Sequence, residues 1–443
     1  MSASGQGPSG PSETAAKPQK ALVLVPLLRR RQAAGSAPSR AVEGKVAEAK
    51  ALAEAIDLDV VGAQSVPLAA FHPGTLFGSG KVEEIARQVE LTGSGLVVID
   101  HAVSPIQQRN LEKAWKTKVI DRTGLILEIF GERAQTREGR LQVELAHLTY
   151  QRGRLVRSWT HLERQRGGFG FLGGPGETQI EADRRLIQER IDRIEKELDS
   201  VVRTRRLQRA NRRRSDLPVV ALVGYTNAGK TTLFNALTRS AQFAKDQLFA
   251  TLDPAMRRLR LPQGVEIVLS DTVGFVADLP TDLVAAFRAT LEEVVEADLV
   301  LHVRDIAHPE TTVQAADVAN VLGQLGVAAD KVLEVWNKAD LLREAAPAAA
   351  ISGAGGPISI SALRGEGLDA LLVAIERRLT EAHSIFEVRL APDEVAAAHR
   401  LYDFGEVLDR REGPDGLVAI VRIAPRHLAP FQQQFPNAER RAN

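Results

Sequence analysis

The stretch Gly224-Tyr225-Thr226-Asn227-Ala228-Gly229-Lys230-Thr231 decides the fold of this 443-residue chain. It matches the pattern GxxxxGK[ST], in which backbone N–H groups surround a phosphate, the lysine reaches the β- and γ-phosphate oxygens and the hydroxyl binds Mg²⁺. The apolar run 219–223 before it predicts a buried parallel strand, and residues 232–237 predict a helix. Thr232, the first residue of that helix, is predicted to bind nucleotide together with the loop. Strand, loop and helix in this order predict a phosphate-binding loop in an α/β domain.

Two later motifs extend the prediction to the γ-phosphate and to the base. Ser270-Asp271-Thr272-Val273-Gly274 follows the apolar strand 265–269. This order predicts Asp271 beside the Mg²⁺ without direct contact, and the Gly274 N–H at the γ-phosphate. Asn337-Lys338-Ala339-Asp340 closes the strand 332–335, and the Asp340 carboxylate is predicted to accept hydrogen bonds from N1–H and N2–H₂ of guanine, a pair that adenine lacks. The sequence therefore predicts a guanine nucleotide site.

The remaining predicted site residues lie in two short loops. Ser361-Ala362-Leu363 is predicted to contact the guanine carbonyl through a backbone N–H. Thr251, within the segment 249–254, is predicted to complete the Mg²⁺ shell with Thr231, although any turn can contain a threonine. We therefore predict Lys230, Thr251 and Gly274 as the catalytic groups.

The residue after Gly274 departs from the pattern of many small GTPases. Phe275 stands where those proteins have a glutamine that orients the attacking water, and a phenyl ring cannot do this. We expect slow intrinsic hydrolysis that a partner stimulates by ordering the switches, whether or not Phe275 is also a core residue of its loop. Asn227 raises a further hypothesis, that K⁺ is held near the phosphates and acts as a built-in positive charge.

Composition limits the class of protein and its compartment. The length exceeds what one core usually organises, which predicts several domains. The chain has no cysteine and no long apolar run, so we expect neither disulfides nor a membrane span, and a cytoplasmic location. Residues 1–20, rich in Ser, Gly and Pro, predict a disordered tail rather than a targeting peptide. The net charge of +1 does not by itself indicate nucleic-acid binding.

The distribution of arginine is more informative than the net charge. Two apolar stripes at helical spacing flank the glycine-rich segment 166–177, which we interpret as a loop. Residues 136–214 therefore predict an antiparallel helical hairpin with a glycine-rich tip, suited to structured RNA because arginine meets phosphate and aromatic rings stack on unpaired bases. The alternative is a solvated, charged hairpin. The predicted RNA-binding residues are Arg166, Phe169, Phe171, Arg203 and Arg206.

Two further domains are predicted around the hairpin and the nucleotide domain, 215–383. Residues 21–135 alternate strand-like and helical runs, which indicates a small α/β domain. Within it, residues 78–82 look like a second phosphate loop, but the glycine spacing is wrong and we interpret them as the start of a helix. Residues 384–443 predict a small C-terminal α+β domain, interpreted as rich in βαβ units with a helix over 394–401.

Taken together, the chain resembles the HflX family of ribosome-associated GTPases. The resemblance rests on residues 104–111, Asp121-Arg122-Thr123-Gly124-Leu125-Ile126-Leu127, residues 142–146, residues 176–185 and the nucleotide motifs with Phe275. It implies an N-terminal α/β domain, a long helical hairpin and a Ras-like GTPase domain. It also implies binding to the large ribosomal subunit with the tip, residues 169–176, facing rRNA, and dissociation of stalled or hibernating ribosomes under stress. We expect a monomer on the ribosome.

Two other functions remain open on the sequence. One is an RNA-binding scaffold for ribosome assembly that uses GTP as a structural switch with little turnover. The other is a tRNA-acting GTPase that works with a modification enzyme, suggested by Asn227 and the basic hairpin. Phosphate release stimulated by ribosomes distinguishes the first of these from a ribosome-coupled enzyme.

Overall fold

The protein is described by a computed structural model that covers most of the chain. The described residues are 18–28, 41–165, 175–214, 217–239, 249, 252–276, 288–342, 356–381, 384–413, 416–423 and 427–441. The predictions for Thr251 and for the loop residues 166–174 lie outside them. The chain divides into two compact units: residues 1–203 with 246–249 and 278–287, and residues 204–245 with 250–277 and 288–443.

The first unit contains a parallel sheet with the strand order β2-β1-β3-β4. Its strands are β1 (Lys20–Leu28), β2 (Asp59–Leu68), β3 (Leu96–Ile99) and β4 (Lys118–Asp121). The helices α1 (Val42–Glu54), α2 (Ser79–Thr92), α3 (Pro105–Trp115) and α4 (Arg122–Arg133) alternate with them, as in other parallel sheets. The structure describes residues 18–20 and β1 begins at Lys20, so the predicted disordered tail, residues 1–20, extends too far, and its residues 1–17 lie outside the described residues. Gly78 is the N-cap of α2, which confirms the helix-start interpretation of 78–82.

Two long helices follow in the first unit and form the predicted hairpin. They are α5 (Arg137–Gln165) and α6 (Pro175–Arg214), and the chain passes into the second unit within α6. Contacts pair early residues of one helix with late residues of the other: Arg137 Nη2 lies 3.2 Å from Glu197 Oε2, and Arg190 Nε lies 2.7 Å from Glu144 Oε1. The helices are therefore antiparallel.

One prediction about the hairpin is wrong. The loop was expected to continue to Glu177, but α6 begins at Pro175. Proline is favoured in the first turn of a helix, where its missing N–H costs nothing and its fixed φ is already helical. The glycine content of the segment concealed this helix start.

The second unit contains a mixed sheet with the strand order β10-β9-β8-β5-β7-β6, in which β6 alone of these strands runs antiparallel to its neighbour. The strands are β5 (Val219–Val223), β6 (Ala255–Arg260), β7 (Glu266–Asp271), β8 (Leu299–Asp305), β9 (Val332–Asn337) and β10 (Ile358–Ser359). The helices are α7 (Lys230–Thr238), α8 (Arg288–Val295), α9 (Thr311–Gln324) and α10 (Leu368–Glu381). Leu222, Phe234 and Leu301 are fully buried in its core, and the predicted α/β class is confirmed.

The C-terminal part of the second unit forms a separate sheet with the order β12-β13-β11-β14. Its elements are β11 (Ser384–Leu390), β12 (Gly405–Gly413), β13 (Gly416–Ile423), α11 (Leu428–Gln434) and β14 (Glu439–Arg441). The predicted βαβ units are wrong, because all neighbouring strands are antiparallel. The connection between β12 and β13 spans two residues, which is too short for a parallel crossover.

The predicted helix over 394–401 is also wrong in type. The structure has a 3₁₀ helix at Val395–Asp403. Its buried Ala398 and Leu401 are three residues apart, the spacing at which side chains align on one face of a 3₁₀ helix.

Among the described helices, none combines the length and the apolar composition that a membrane span needs.

Candidate nucleotide site

The predicted nucleotide residues come together at one edge of the sheet in the second unit. The phosphate loop follows β5, while Asp271 and Asn337 are the last residues of β7 and β9. Because these strands are parallel, their carboxyl ends lie side by side, and such ends form the ligand crevice of open α/β sheets. Sheet topology therefore brings together motifs that are about a hundred residues apart in the sequence.

The phosphate loop curls around the ammonium group of Lys230. Lys230 Nζ donates to the carbonyl oxygens of Gly224 at 3.2 Å and Tyr225 at 2.9 Å. Burial lowers the pKa of Lys230 to about 8, and the nearby Asp271 carboxylate opposes this shift. Gly229 has φ 89°, and a Cβ there would collide with the Asn337 side chain, so only glycine fits.

Oxygen ligands for a cation lie directly beside this loop. Thr231 Oγ1 donates to Asp271 Oδ2 at 2.8 Å, and Asp271 is fully buried. The neighbouring Thr272 donates to the Leu222 carbonyl at 2.6 Å, which fixes the end of β7. A hydroxyl and a carboxylate suit Mg²⁺, which takes few protein ligands and fills the rest of its shell with water and phosphate. Among the described residues, no three acidic, His or Cys side chains are grouped so that they could hold a metal ion.

Asn337 joins the phosphate loop to the predicted base loop. Its Nδ2 donates to the Ala228 carbonyl at 2.9 Å, and its Oδ1 accepts from the Ala362 N–H at 3.0 Å. Ser361 Oγ donates to Asp340 Oδ1 at 2.7 Å, which orients the carboxylate. The predicted base residues therefore form one hydrogen-bonded cluster with the phosphate loop.

Two charged residues of this cluster, Asp305 and Arg364, were not predicted from the sequence. Asp305, at the end of β8, lies with its Oδ2 2.9 Å from Lys338 Nζ. Arg364 Nε lies 3.8 Å from Asp340 Oδ2. Asp305 carries no motif, and its position at the end of a buried strand was the one signal available. The side chain of Leu363, which was predicted to belong to the site, is 80% exposed.

The start of the predicted switch after β7 is hydrogen-bonded to the phosphate loop. The Phe275 N–H donates to the Gly224 carbonyl at 3.0 Å, and the Thr226 N–H donates to the Phe275 carbonyl at 2.7 Å. Phe275 is buried, as is Val273, and Gly274 lies against Thr226 and Lys230. Phe275 is thus a core residue of its loop, one of the two interpretations that the sequence left open.

The predicted RNA-binding residues are only partly described. Arg203 is exposed on α6, and Arg206 lies on the same helix without a described side chain. Arg166, Phe169 and Phe171 fall outside the described residues, as does Thr251. Thr232 lies half-buried in the first turn of α7, and Asn227 is exposed with φ 61°.

Models of known protein families match four consecutive parts of the chain. Residues 43–131 match "GTP-binding GTPase N-terminal", and residues 133–212 match "GTP-binding GTPase Middle Region". Residues 219–338 match "50S ribosome-binding GTPase", and residues 348–443 match "HflX C-terminal domain".

Individual proteins are similar over most of the chain. GTPase HflX of Magnetococcus marinus is 52% identical over 375 residues, which cover 85% of this chain and 87% of the relative. GTPase HflX of Escherichia coli is 46% identical over 363 residues, covering 82% and 84%. Among solved structures, a GTP-binding protein of Sulfolobus solfataricus in complex with GDP is 24% identical with a TM-score of 0.42, covering 82% of this chain and 99% of that one. The identities and coverage of the two relatives show that this chain belongs to the HflX family of GTPases.

Proposed function

We propose that the chain hydrolyses GTP in a cycle coupled to the large ribosomal subunit, and that it dissociates stalled or hibernating ribosomes under stress. The coupling to the ribosome is inferred from the position of Phe275. This residue is 4% exposed, and its backbone is hydrogen-bonded to the phosphate loop. This residue cannot orient the attacking water, so fast hydrolysis requires help from elsewhere. The description "50S ribosome-binding GTPase" for the matching family model supports the ribosome as the source.

In this proposal the clustered residues divide the contacts to GTP and Mg²⁺. Lys230 and the loop N–H groups hold the phosphates, while the Gly274 N–H senses the γ-phosphate. Thr231 and Thr251 bind Mg²⁺. Asp271 does not contact the ion directly but accepts a hydrogen bond of 2.8 Å from the Thr231 hydroxyl. Asp340, oriented by Ser361, selects guanine.

We further propose that Asn227 binds K⁺ beside the phosphates. Its side chain is exposed at the mouth of the loop, and its backbone has φ 61°, a conformation that asparagine tolerates better than most residues. An exposed amide oxygen at this position can take part in a cation shell that phosphate oxygens complete. A potassium requirement for hydrolysis is the expected consequence.

The hairpin is the proposed contact with rRNA. Its helices α5 and α6 are joined by the glycine-rich segment with Phe169 and Phe171, and α6 ends in a run rich in arginine. Arginine binds phosphate, and aromatic side chains stack on unpaired bases. The proposed binding is therefore strongest where RNA presents unpaired bases beside phosphates.

The test is phosphate release from GTP with and without purified large ribosomal subunits, in potassium and in sodium buffers. Strong stimulation by the subunit is expected, and a greater rate in potassium would support the role of Asn227. The double variant Phe169→Ala, Phe171→Ala should lose the stimulation while it keeps the intrinsic rate. No stimulation of the wild-type protein in either buffer would refute the coupling and favour an RNA-binding scaffold with little turnover.

A further inference from the structure

We propose that the hydroxyl of Thr226 holds the γ-phosphoryl group of GTP during hydrolysis. In this role a side chain of the phosphate loop supplies polar help that Phe275 cannot give. The inference rests on the proposed arrangement of GTP between Lys230 and Gly274. It identifies a positioning group that neither the glycine pattern nor the switch motif specifies, since Thr226 occupies a variable position of GxxxxGK[ST].

The backbone of Thr226 is fixed against the switch. Its N–H donates to the Phe275 carbonyl at 2.7 Å, and the Phe275 N–H returns a bond of 3.0 Å to the Gly224 carbonyl. Tyr225 and Phe275 thereby form a parallel bridge between the two loops. The Thr226 side chain is consequently held at a defined place beside the residue that replaces glutamine.

The hydroxyl of Thr226 is buried and has no partner in the part of the chain that the structure describes. The residue is 6% exposed, and Oγ1 has no hydrogen-bond partner among the described residues. Thr231, Thr238 and Thr272, which belong to the same unit, each donate to a protein oxygen. Burial of an unpaired hydroxyl is costly, because the group loses its hydrogen bonds to water. A ligand oxygen that accepts from Thr226 would remove this cost.

The position of that ligand follows from the groups around Thr226. A Cβ built on Gly274 would lie 2.9 Å from Thr226 Cγ2 and 3.0 Å from Lys230 Nζ. The side chain of Thr226, the ammonium of Lys230 and the backbone of Gly274 therefore meet at one place. Oγ1 and Cγ2 are both bonded to Cβ. Rotation about χ1 therefore lets the Thr226 hydroxyl donate to a ligand oxygen that lies between Lys230 and Gly274. Lys230 and Gly274 are the groups predicted to contact the γ-phosphate.

The proposed chemistry needs no proton transfer by Thr226. Water attacks the γ-phosphorus as the bond to the bridging β–γ oxygen breaks, and the proton of the water passes to the phosphate product. Negative charge is spread over the γ-phosphoryl oxygens in the transition state. The Thr226 O–H donates a hydrogen bond to one of them. A bond to a charged acceptor of this kind corresponds to about a tenfold to hundredfold effect on the rate.

The test compares Thr226→Val, which keeps the branched shape and removes the hydroxyl, with Thr226→Ser, which keeps the hydroxyl. The rate constant for single-turnover GTP hydrolysis and the affinity for GDP are measured for each. We expect Thr226→Val to slow hydrolysis by about tenfold to hundredfold while GDP affinity is unchanged, since GDP lacks the γ-phosphate. Thr226→Ser should hydrolyse GTP at close to the wild-type rate. Thr238→Val, at the far end of α7, is the matched control and should behave as wild type.

Three results would overturn the inference. Hydrolysis by Thr226→Val at the wild-type rate would show that the hydroxyl contributes nothing. Equal slowing in the Val and Ser variants, or equal losses of rate and GDP affinity, would show that Thr226 acts through the shape of the loop. If Thr226→Val does not fold, as judged by thermal unfolding, Thr226→Ala, which also removes the hydroxyl, takes its place in the comparison with Thr226→Ser. An inactive wild-type protein that binds no GTP would overturn the proposed site itself, a result distinct from both.

Discussion

Replacement of Asn337 by alanine should destabilise the nucleotide domain and weaken nucleotide binding together. Asn337 is 2% exposed and makes hydrogen bonds to the Ala228 carbonyl and to the Ala362 N–H, at 2.9 and 3.0 Å. Both partners are in buried residues, so the variant leaves two backbone groups without a partner. Each such group costs about 1–3 kcal/mol, which gives about 2–6 kcal/mol in total.

The assay is thermal unfolding without nucleotide, followed by titration with GDP. For a domain of this size, about 1 kcal/mol lowers the melting temperature by about 2–4 °C, so a fall of at least about 4 °C is expected. Asn337→Asp should be no better, because it places a carboxylate oxygen against the Ala228 carbonyl. Asn110→Ala, which removes an exposed bond to the Gly74 carbonyl, is the matched control and should change little. If Asn337→Ala melts and binds GDP like wild type, the idea that Asn337 joins the two loops is wrong.

Three other predictions test the base, the phosphate loop and the hairpin. Asp340→Asn should exchange guanine for xanthine preference, because an amide then donates where a carboxylate accepted; unchanged selectivity in competition binding would exclude Asp340 as the base reader. The pKa of Lys230 is lowered to about 8 by burial, and bound phosphate must raise it, so GDP binding near pH 9 should take up a proton. Calorimetry in buffers of different ionisation enthalpy measures this uptake, and Lys230→Arg, which stays charged, should abolish it. Phe169→Ala with Phe171→Ala should weaken pelleting with large ribosomal subunits but leave GDP affinity intact; loss of both would indicate misfolding.

The sign of the Lys230 effect on stability follows from the same shift. Its folded pKa of about 8 lies below the ordinary value of 10.5. Between these two values the unfolded chain holds more protons than the folded protein, so stability rises with pH across this window. Below about pH 8 both forms are charged, and the folded protein bears the full cost of burying the ammonium. Subtracting the unfolding profile of Lys230→Met isolates this contribution.

The phosphate loop was predictable because its information is local. The apolar run of β5, the loop and the start of α7 follow one another without a gap, and each has its own sequence signature. Asp271 and Asn337 were also predictable, since each follows a buried apolar run and the ends of parallel strands meet at one edge. Local signals therefore specified both the elements and the edge of the sheet.

The partners within the site were not predictable in the same way. The bond from Asn337 to the Ala228 carbonyl joins residues that are 109 positions apart, and the pair Lys338–Asp305 depends on β8 lying beside β9. Strand order sets these contacts, and no short pattern encodes it. The Thr226 hydroxyl, which has no hydrogen-bond partner within the described parts of the chain, is a further case, because its burial in the fold cannot be read from the sequence.

Asp121 and Arg122 belong to a stretch on which the resemblance to the family rests, and both make buried contacts within the first unit. Asp121, at the end of β4, accepts hydrogen bonds from the Tyr150 hydroxyl and from Arg154 Nη2, both at 2.6 Å, and both donors lie on α5 of the hairpin. Arg122 pairs with Glu48 at 2.6 Å.

These directional bonds hold the middle of α5 against the end of β4. Burial, followed by the charge of Asp121, raises the pKa of Tyr150, so its hydroxyl remains a donor across the physiological range. Loss of one member of such a buried set leaves an uncompensated charge, which apolar packing cannot repair. Eleven residues of α5 follow Arg154, about 17 Å of helix, and their direction depends on these bonds. Asp121 therefore has a structural role, because it sets the direction of α5 relative to the sheet of the first unit.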